Sequence, residues 1–219
     1  QPVTFNAGPL APGTYTYNAW VSSGSCYSQY TRFTVNVVSS LAAPTSTNRT
    51  ICQGGRDITS VLAGAPSDVV TLTATGAAGT VITWYSDSIG TNALQVGSQY
   101  VRSTNVTAGT YTFFVGQSAN GCQSPRRRVT LTVLPQPTAL TVAPFYQQVC
   151  FGDAAEIDID VTGRDNSDFL WTIDPSEIAP GNLVTSLPFA YGPITATQSF
   201  YFIEINEFGC VAREQNWGV

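Results

Sequence analysis

The sequence predicts an all-β protein, and three of its features support that fold class. Threonine, serine, valine, glycine and proline are abundant in the 219 residues, a composition that suits short strands and tight turns. Many segments alternate apolar and polar residues with a period of two, which is typical of strands with one buried face. A segment that ends in cysteine recurs along the chain, and repetition at a domain-sized spacing indicates tandem domains.

The alternating segments predict both the strands and the core. Within residues 110–116, Tyr111, Phe113 and Val115 fall on one strand face. We expect Tyr111, Val115 and Trp84 to lie in the core of one domain and Trp171 in the core of the next. The segments that predict strands are 69–76, 80–86, 110–116, 128–134, 155–161, 169–173 and 199–205.

The repeat divides the chain into three predicted domains. The segment from Gly13 to Cys26 matches the segment from Gly109 to Cys122, and a looser copy ends at Cys210. The copies therefore recur after 96 and then 88 residues. The first predicted domain is 1–40, the C-terminal part of a truncated domain; the second is the complete domain 41–134; the third is 135–219, which is divergent and shortened at its end.

The repeat also explains the odd number of cysteines. Cys52 and Cys150 each precede a glycine turn early in a domain, whereas Cys26, Cys122 and Cys210 each end a repeated segment. We predict disulfides Cys52–Cys122 and Cys150–Cys210 within the second and third domains, and a bond from Cys26 to a cysteine outside the chain. Five free thiols in a reducing cytosol are the alternative, which the matching cysteine positions disfavour.

The spacing of tryptophan and cysteine predicts the type of domain. Trp84 precedes Cys122 by 38 residues, and Trp171 precedes Cys210 by 39. A tryptophan on a central strand at a fixed distance from a cysteine is typical of immunoglobulin-like (Ig-like) domains. Because the linkers are short and contain proline, which limits bending, we expect tandem Ig-like β-sandwiches in a rod-like array.

The composition argues against most catalytic functions. The chain has no histidine and no lysine, so it lacks an imidazole base and a Schiff-base nucleophile. Glu204 and Glu207 are the carboxylates that come nearest to a glycosidase pair, but nothing in the sequence marks either as an acid or a nucleophile. We therefore expect no enzyme activity and no cofactor.

The charge distribution and hydropathy limit the possible partners. Net charge is −5, and residues 135–219 hold eleven acids against two arginines, a balance of −9. Such an acidic surface argues against nucleic acid as a partner. No apolar run reaches the roughly 18–20 residues that a spanning helix needs, so we expect no membrane insertion.

Charged residues supply two weak candidate sites. Arg126, Arg127 and Arg128 form a basic run that could contact an acidic neighbouring domain or an anionic glycan, although a solvated start of the last strand is favoured. Four aspartates are weak Ca²⁺ candidates, because two alternate with isoleucine along a strand and two flank a turn. A wet strand face and turn chemistry explain them equally well. These aspartates are Asp158, Asp160, Asp165 and Asp168.

An aromatic platform for sugar rings is a further hypothesis, although core or interdomain contacts are favoured for most of its members. They are Trp20, Tyr27, Tyr30, Phe145 and Tyr146.

Asn48 and Asn105 each begin an Asn-X-Thr pattern that fits N-glycosylation. Three-residue patterns of this kind arise often by chance.

Two stretches, TLTATGAAGTVITWYSDSIG and VTAGTYTFFVGQSANGCQSPRRRVTLTVLP, resemble the Ig-like repeats of very large surface proteins of Bacteroidota. These repeats occur in SprB-like gliding-motility adhesins and in other cargo of the type 9 secretion system. The resemblance is strong over residues 50–134, fair over 1–38 and weaker over 135–219. It implies export across the outer membrane and an extracellular, cell-surface location. It also makes Ser88 a candidate for O-glycosylation, because Asp87-Ser88-Ile89 is similar to the motif that Bacteroidota use.

Two functional hypotheses follow. In the first, the domains are structural stalk repeats of a large secreted adhesin or filament in surface attachment or gliding motility. Its partners are neighbouring Ig-like repeats of the same polypeptide, surface glycans or outer-membrane proteins. In the second, the chain is a glycan- or protein-binding module of a secreted multidomain protein or enzyme, and the divergent third domain is the binding candidate. A self-assembling filament subunit would need an exposed edge strand.

Overall fold

The structure, a computed structural model, describes residues 4–63, 66–138, 141–143, 147–164, 166–173, 183–184, 188–212 and 215–218. The strands of the first predicted domain are β1 (Gly13–Ala19), β2 (Ser22–Ser23), β3 (Cys26–Tyr27) and β4 (Thr31–Val37). Those of the second are β5 (Thr45–Ser46), β6 (Arg49–Cys52), β7 (Val69–Thr75), β8 (Val81–Tyr85), β9 (Ala93–Val96), β10 (Gln99–Ser103), β11 (Gly109–Ala119), β12 (Cys122–Gln123) and β13 (Arg127–Leu134). Those of the third are β14 (Thr141–Ala143), β15 (Ala155–Asp160), β16 (Asp168–Thr172), β17 (Phe189–Tyr191), β18 (Ser199–Ile205) and β19 (Gln215–Gly218).

The prediction of an all-β fold is confirmed. Within the described ranges, helical structure is limited to a 3-10 turn at Gln53–Gly55 and the five-residue helix α1 at Ile58–Leu62. Each alternating segment contains a strand, because a strand with apolar residues at every second position can bury one whole face. Val129, Leu131 and Val133 of β13 show the effect, since each is at most 2% exposed.

The second predicted domain forms two sheets. Strands β10, β7 and β5 form one sheet in that order, and the other has the order β6-β13-β11-β8-β9 with β12 paired to β11. Strand β11 lies between the last long strand, β13, and the tryptophan strand β8, as in an Ig-like sandwich. β6 pairs in parallel with β13, and this pairing places Cys52 opposite Leu134.

The third predicted domain repeats this plan with fewer described strands. One sheet has the order β14-β15-β17 and the other has the order β16-β18-β19. Its core is a cluster of buried apolar residues, against which Trp171 packs. Trp171 lies within 4.8 Å of the Phe189 ring and 5.2 Å of the Tyr191 ring, measured between centroids. The buried members of the cluster are Ala155, Ile157, Phe169, Ile194, Phe200 and Phe202.

By Cα proximity the chain separates into two compact units. Unit 1 contains residues 1–45, 74–98 and 114–128, and unit 2 contains residues 46–73, 99–113 and 129–219. The second predicted domain contributes strands to both units. The boundaries of the three predicted domains therefore stay a prediction.

Unit 1 contains the tryptophan strand. Trp84 and Val115 are opposite each other on β8 and β11, and both are 0% exposed. The Trp84 Nε1–H donates a hydrogen bond of 3.1 Å to the carbonyl oxygen of Gly97, which satisfies the one polar atom of this buried side chain.

Unit 2 contains the aromatic contacts between β10 and β11. The rings of Tyr100 and Phe113 meet edge to face at 5.1 Å, and both residues are buried. Tyr111 is half-buried; its hydroxyl donates to the carbonyl oxygen of Thr107 at 2.8 Å, and the Arg102 guanidinium lies 5.3 Å above its ring. Tyr111 thus lies at the margin of the core.

Gln117 on β11 is a buried polar residue of unit 1, at 5% exposed. Its Oε1 accepts hydrogen bonds of 2.7 Å from the backbone N–H of Ala77 and from the Thr80 hydroxyl. Its Nε2 donates to the carbonyl oxygen of Ala42 at 2.7 Å, which fixes the linker that leads into the second predicted domain. The side-chain amide of Gln117 thus bonds to one backbone N–H, one hydroxyl and one backbone carbonyl oxygen.

We expect Gln117→Ala to lower the free energy of unfolding by about 2 kcal/mol, because it leaves a backbone N–H and a backbone carbonyl without their partners. Urea denaturation followed by tryptophan fluorescence measures this change. The matched control is Gln123→Ala on the exposed strand β12, which should change stability little. Equal stability of the two variants would contradict the role of Gln117.

Candidate functional site at the Cys52–Cys210 joint

The structure corrects the predicted disulfides. Cys52 is bonded to Cys210, with a Cα–Cα distance of 5.5 Å, and the bond joins residues of the second and third predicted domains. Cys26, Cys122 and Cys150 are free thiols. The predicted pairs Cys52–Cys122 and Cys150–Cys210 are therefore wrong, and no bond partner of Cys26 lies within the described residues.

Strand register explains why Cys52 does not bond to Cys122. The parallel pairing of β6 with β13 brings Cys52 opposite Leu134, where β13 ends. Cys122 lies before β13 begins, directly after a turn in which Asn120 and Gly121 both have positive φ. The two cysteines are thus at opposite ends of β13. Cys150 is exposed on a turn beside Ile194, and Cys210 is buried beside Asp57.

A pair of glycines allows the chain to turn sharply after Cys52. Gly54 and Gly55 have φ values of +65° and +63°, which side chains with a Cβ atom rarely adopt. A Cβ atom at Gly55 would also overlap the carbonyl oxygen of Ser67. The turn leads directly into helix α1, so these glycines position the helix against the disulfide.

Asp57 caps the N-terminus of α1. Its carboxylate accepts hydrogen bonds from the Ser60 backbone N–H at 3.0 Å and from the Ser60 hydroxyl. Burial opposes ionisation of Asp57, but the hydrogen bonds that its carboxylate accepts from Ser60 and from the backbone of Asp57 and Thr59 together outweigh burial and hold the pKa of Asp57 below its usual value of 3.8.

Backbone hydrogen bonds reinforce the disulfide. Asp57 and Cys210 form an antiparallel bridge. The N–H of Ile58 donates to the carbonyl oxygen of Gly209 at 3.1 Å, and the N–H of Val211 donates to the carbonyl oxygen of Arg56 at 2.9 Å. The segment after Cys52 therefore pairs with the segment around Cys210 as a short strand would.

An apolar cluster connects α1 to the third predicted domain. Val61 of α1 is buried together with Leu170, Ile203 and Val211, and the four are between 0% and 8% exposed. Ile58 and Ile205 pack against them. One face of α1 thus buries its apolar side chains on the third predicted domain, which gives the joint a small hydrophobic core of its own.

Polar side chains fix the linker that crosses the joint. The Asn206 side chain donates to the carbonyl oxygen of Pro135 at 3.0 Å, and the Gln136 side chain donates to that of Gln53 at 2.7 Å. Arg164 donates to the Thr138 carbonyl oxygen at 3.1 Å and also forms an ion pair with Glu204, which is 3% exposed. The arginine is required there, since an unpaired buried carboxylate is costly.

The Glu204–Glu207 pair considered for glycoside cleavage is not arranged for that chemistry. Arg164 and the Ser167 hydroxyl, at 2.7 Å, occupy the Glu204 carboxylate, whereas Glu207 is exposed. Glu204 therefore holds Arg164, which donates a hydrogen bond to the Thr138 carbonyl oxygen of the linker.

The basic run divides into residues with different environments. Arg126 lies with its guanidinium 3.4 Å from the centroid of the Tyr85 ring and donates to the carbonyl oxygens of Asp87 and Gly90. It therefore fixes the loop that contains Ser88 and does not lie in solvent. Arg127 and Arg128 are exposed on β13.

The other candidate residues are mostly exposed. Ser88 and Asn105 are exposed, and the exposed Asn48 accepts a hydrogen bond from the Thr130 N–H at 3.0 Å. Asp158 and Asp168 are exposed on strands, whereas Asp165 and the Asp160 side chain lie outside the described residues. In the part of the chain that the structure describes, no group of three or more His, Cys, Asp or Glu side chains could hold a metal ion.

The proposed aromatic platform is described only in part. Trp20, Tyr27 and Tyr30 are 59%, 71% and 60% exposed, so they do not lie in a core of the described residues, and the alternative of interdomain contacts stays a prediction. Phe145 and Tyr146 lie outside the described residues.

Among the described helices, none is both long and apolar enough to cross a bilayer.

Comparisons with known proteins identify an Ig-like segment. Residues 42–135 match the family described as "Ig-like domain CHU_C associated". The chain is similar to the fibronectin(III)-like modules of Clostridium thermocellum CbhA, with 12% identity, a TM-score of 0.37 and coverage of 80% of this chain and 92% of that chain. It is also similar to the N-terminal four Ig domains of Dscam1 isoform 6.9, with 14% identity, a TM-score of 0.31 and coverage of 84% and 46%. The search of curated proteins gave no match.

We expect Cys210→Ser to lower the free energy of unfolding by about 5 kcal/mol in the chain-entropy model, because the disulfide closes a sequence separation of 158 residues. Differential scanning calorimetry of the oxidised protein measures the change. Cys122→Ser and Cys26→Ser are the controls and should leave the transition temperature unchanged. If Cys122→Ser were as destabilising as Cys210→Ser, the Cys52–Cys210 pairing would be wrong.

We expect Asp57 to make the joint sensitive to acid. Because its pKa is lower in the folded state, its contribution is present above the usual value of 3.8 and is lost as pH falls through the folded value. Asp57→Asn keeps a capping side chain but removes this titration. The free energy of unfolding, measured by urea denaturation from pH 6 to pH 2, should therefore fall more steeply in the native protein than in the variant. Parallel curves would show that Asp57 has the same pKa in both states.

Proposed function

We propose that this chain is a structural segment of a large secreted surface protein, in which Ig-like domains act as stalk repeats for surface attachment or gliding motility. The observation that supports it best is the joint at Cys52 and Cys210. A disulfide, a backbone bridge and an apolar cluster together connect the second and third predicted domains. A stalk needs neighbouring domains that stay connected under tension, and these three contacts supply such a connection. A binding module does not depend on such a connection.

The disulfide also supports an extracellular location. Disulfides persist in oxidising compartments and are rare in the cytosol. The match of residues 42–135 to an Ig-like family agrees with this location. The partners on this proposal are neighbouring repeats of the same polypeptide, with surface glycans or outer-membrane proteins at the site of attachment.

One observation favours the second function, binding of a glycan or protein. Trp20, Tyr27 and Tyr30 lie within one short stretch of unit 1 and are each more than half exposed. Exposed aromatic rings of this kind offer flat surfaces on which sugar rings stack. An accessory module of a secreted enzyme would use such a surface to hold its substrate.

Immunogold electron microscopy of the cells that produce this chain distinguishes the two functions. An antibody raised against residues 43–134 should label thin projections at the cell surface if the domains are stalk repeats. The control is the same antibody after adsorption with the purified protein, which should remove the label. Label confined to soluble material in the medium would contradict the stalk and favour the accessory binding module.

A further inference from the structure

The cysteines fall into two structural classes, and the late class lies on equivalent hairpins. In the first predicted domain, the Ser28 hydroxyl accepts from the Val21 N–H at 2.9 Å and donates to the Gln29 carbonyl oxygen at 2.9 Å. In the second, the Ser124 hydroxyl accepts from the Gln117 N–H at 3.0 Å and donates to the Pro125 carbonyl oxygen at 2.8 Å. The hairpins that contain Cys26 and Cys122 therefore have the same local structure.

The hairpins that contain Cys122 and Cys210 each follow a strand or turn residue whose side chain bonds to the linker that precedes the same domain. The Gln117 amide donates to the Ala42 carbonyl oxygen at 2.7 Å, and the Asn206 amide donates to the Pro135 carbonyl oxygen at 3.0 Å. Cys122 and Cys210 therefore lie at the end of their domains where the chain enters.

The early cysteines, Cys52 and Cys150, also occupy equivalent positions. Two residues after each comes a glycine with positive φ, +65° at Gly54 and +91° at Gly152. The N–H of Gly54 donates to the Thr104 carbonyl oxygen at 2.9 Å, and that of Gly152 donates to the Ile194 carbonyl oxygen at 2.8 Å. Cys52 lies opposite Leu134, where the chain leaves the domain. An early cysteine thus faces forward along the chain and a late cysteine faces backward.

We propose that the Cys52–Cys210 bond is one link of a repeated, staggered series. In this series the early cysteine of each domain bonds to the late cysteine of the next domain in the same polypeptide. Cys122 then bonds to an early cysteine of the domain that contains β1–β4. Cys150 bonds to the late cysteine of a further Ig-like domain.

The surroundings of Cys150 fit a partner of this kind. An open groove of about 490 Å³ lies beside it, lined by Gln147–Phe151 and Ile194–Thr197. The exposed ring of Phe151, at 83%, borders the groove. At the equivalent position next to Cys52, the segment around Cys210 pairs with Asp57. The groove therefore leaves room beside Cys150 for a hairpin with a late cysteine.

The exposed face of the first predicted domain points to the partner of Cys122. β1 and β4 pair from Gly13↔Val37 to Ala19↔Thr31, as the long strands of the second predicted domain do. Phe33 and Val35 are 42% and 38% exposed, whereas Val129 and Leu131, their equivalents 96 residues later, are each 0% exposed. In the second predicted domain the same face is buried, and that domain has a second sheet, made of strands β10, β7 and β5. We infer that the same polypeptide supplies such a sheet and an early cysteine to the first predicted domain.

The chemistry of each link is thiol–disulfide exchange. One protein thiolate attacks a disulfide of a thiol oxidase in the export compartment, and the second thiolate resolves the mixed disulfide. The protein cysteines lose two electrons and two protons, and the oxidase leaves as a dithiol. The inference therefore rests on the extracellular location proposed above.

Tryptic mapping without reduction tests the series, because cleavage at arginine places each cysteine in a separate peptide. The polypeptide is purified from its source cells, alkylated at acid pH and digested. We expect Thr50–Arg56, with Cys52, to be linked to the peptide 165–213, with Cys210. We expect Ser103–Arg126, with Cys122, to be linked to a peptide outside residues 1–219. The chain of 219 residues alone, treated in the same way, should keep the first link and have Cys26, Cys122 and Cys150 alkylated.

The other outcomes separate the inference from the proposed function. If the first link is present but Cys122 of the source polypeptide is alkylated, the staggered series is wrong and the extracellular location stands. A link between Ser103–Arg126 and Thr50–Arg56, or between two copies of residues 1–219, would also overturn the series. Alkylation of all five cysteines would overturn both the series and the extracellular location.

Discussion

The parallel pairing of β6 with β13 is the constraint on which the joint depends. The first strand region of the second predicted domain is split, with β5 on the sheet of β7 and β6 on the sheet of β13. The second piece runs alongside the last strand in the same direction, so it ends where the last strand ends. Cys52 is thereby placed at the end of the domain where the chain leaves, and its bond to Cys210 of the next domain is the only disulfide within the described residues.

Secondary structure followed from the sequence because strand alternation is a local property. Val129, Leu131 and Val133 alternate along one segment, and all three are buried. Trp84 could be assigned to the core for the same reason, since it stands on an alternating segment between turns. Trp171 fills a comparable position but is only partly buried. Its neighbours Phe189 and Tyr191 lie on β17, a strand that the sequence did not reveal.

The disulfide could not be predicted because register is not a local property. The repeat shows that Cys52 and Cys122 are early and late in one domain, but it does not show which end of the sandwich each one occupies. Gln117 and Glu204 were missed for a related reason. Their partners, Ala42 and Arg164, are far away in sequence, and a single buried amide or carboxylate has no periodic signal. The Gly54-Gly55 pair was the one local sign of a sharp turn after Cys52.

The covalent connectivity has a mechanical consequence. The Cys52–Cys210 bond closes a loop with a sequence separation of 158 residues, so tension along the chain passes from Cys52 to Cys210 through the sulfur atoms. The residues inside the loop, with the linker at 134–138, cannot be extended while the bond is intact. In the staggered series the loop closed by Cys122 would overlap this one over residues 52–122. Successive loops would then share a stretch of chain, and every linker would lie inside at least one closed loop. A series of bonds within single domains would leave each linker as the one extensible segment between closed loops, so it is the stagger that protects the linkers.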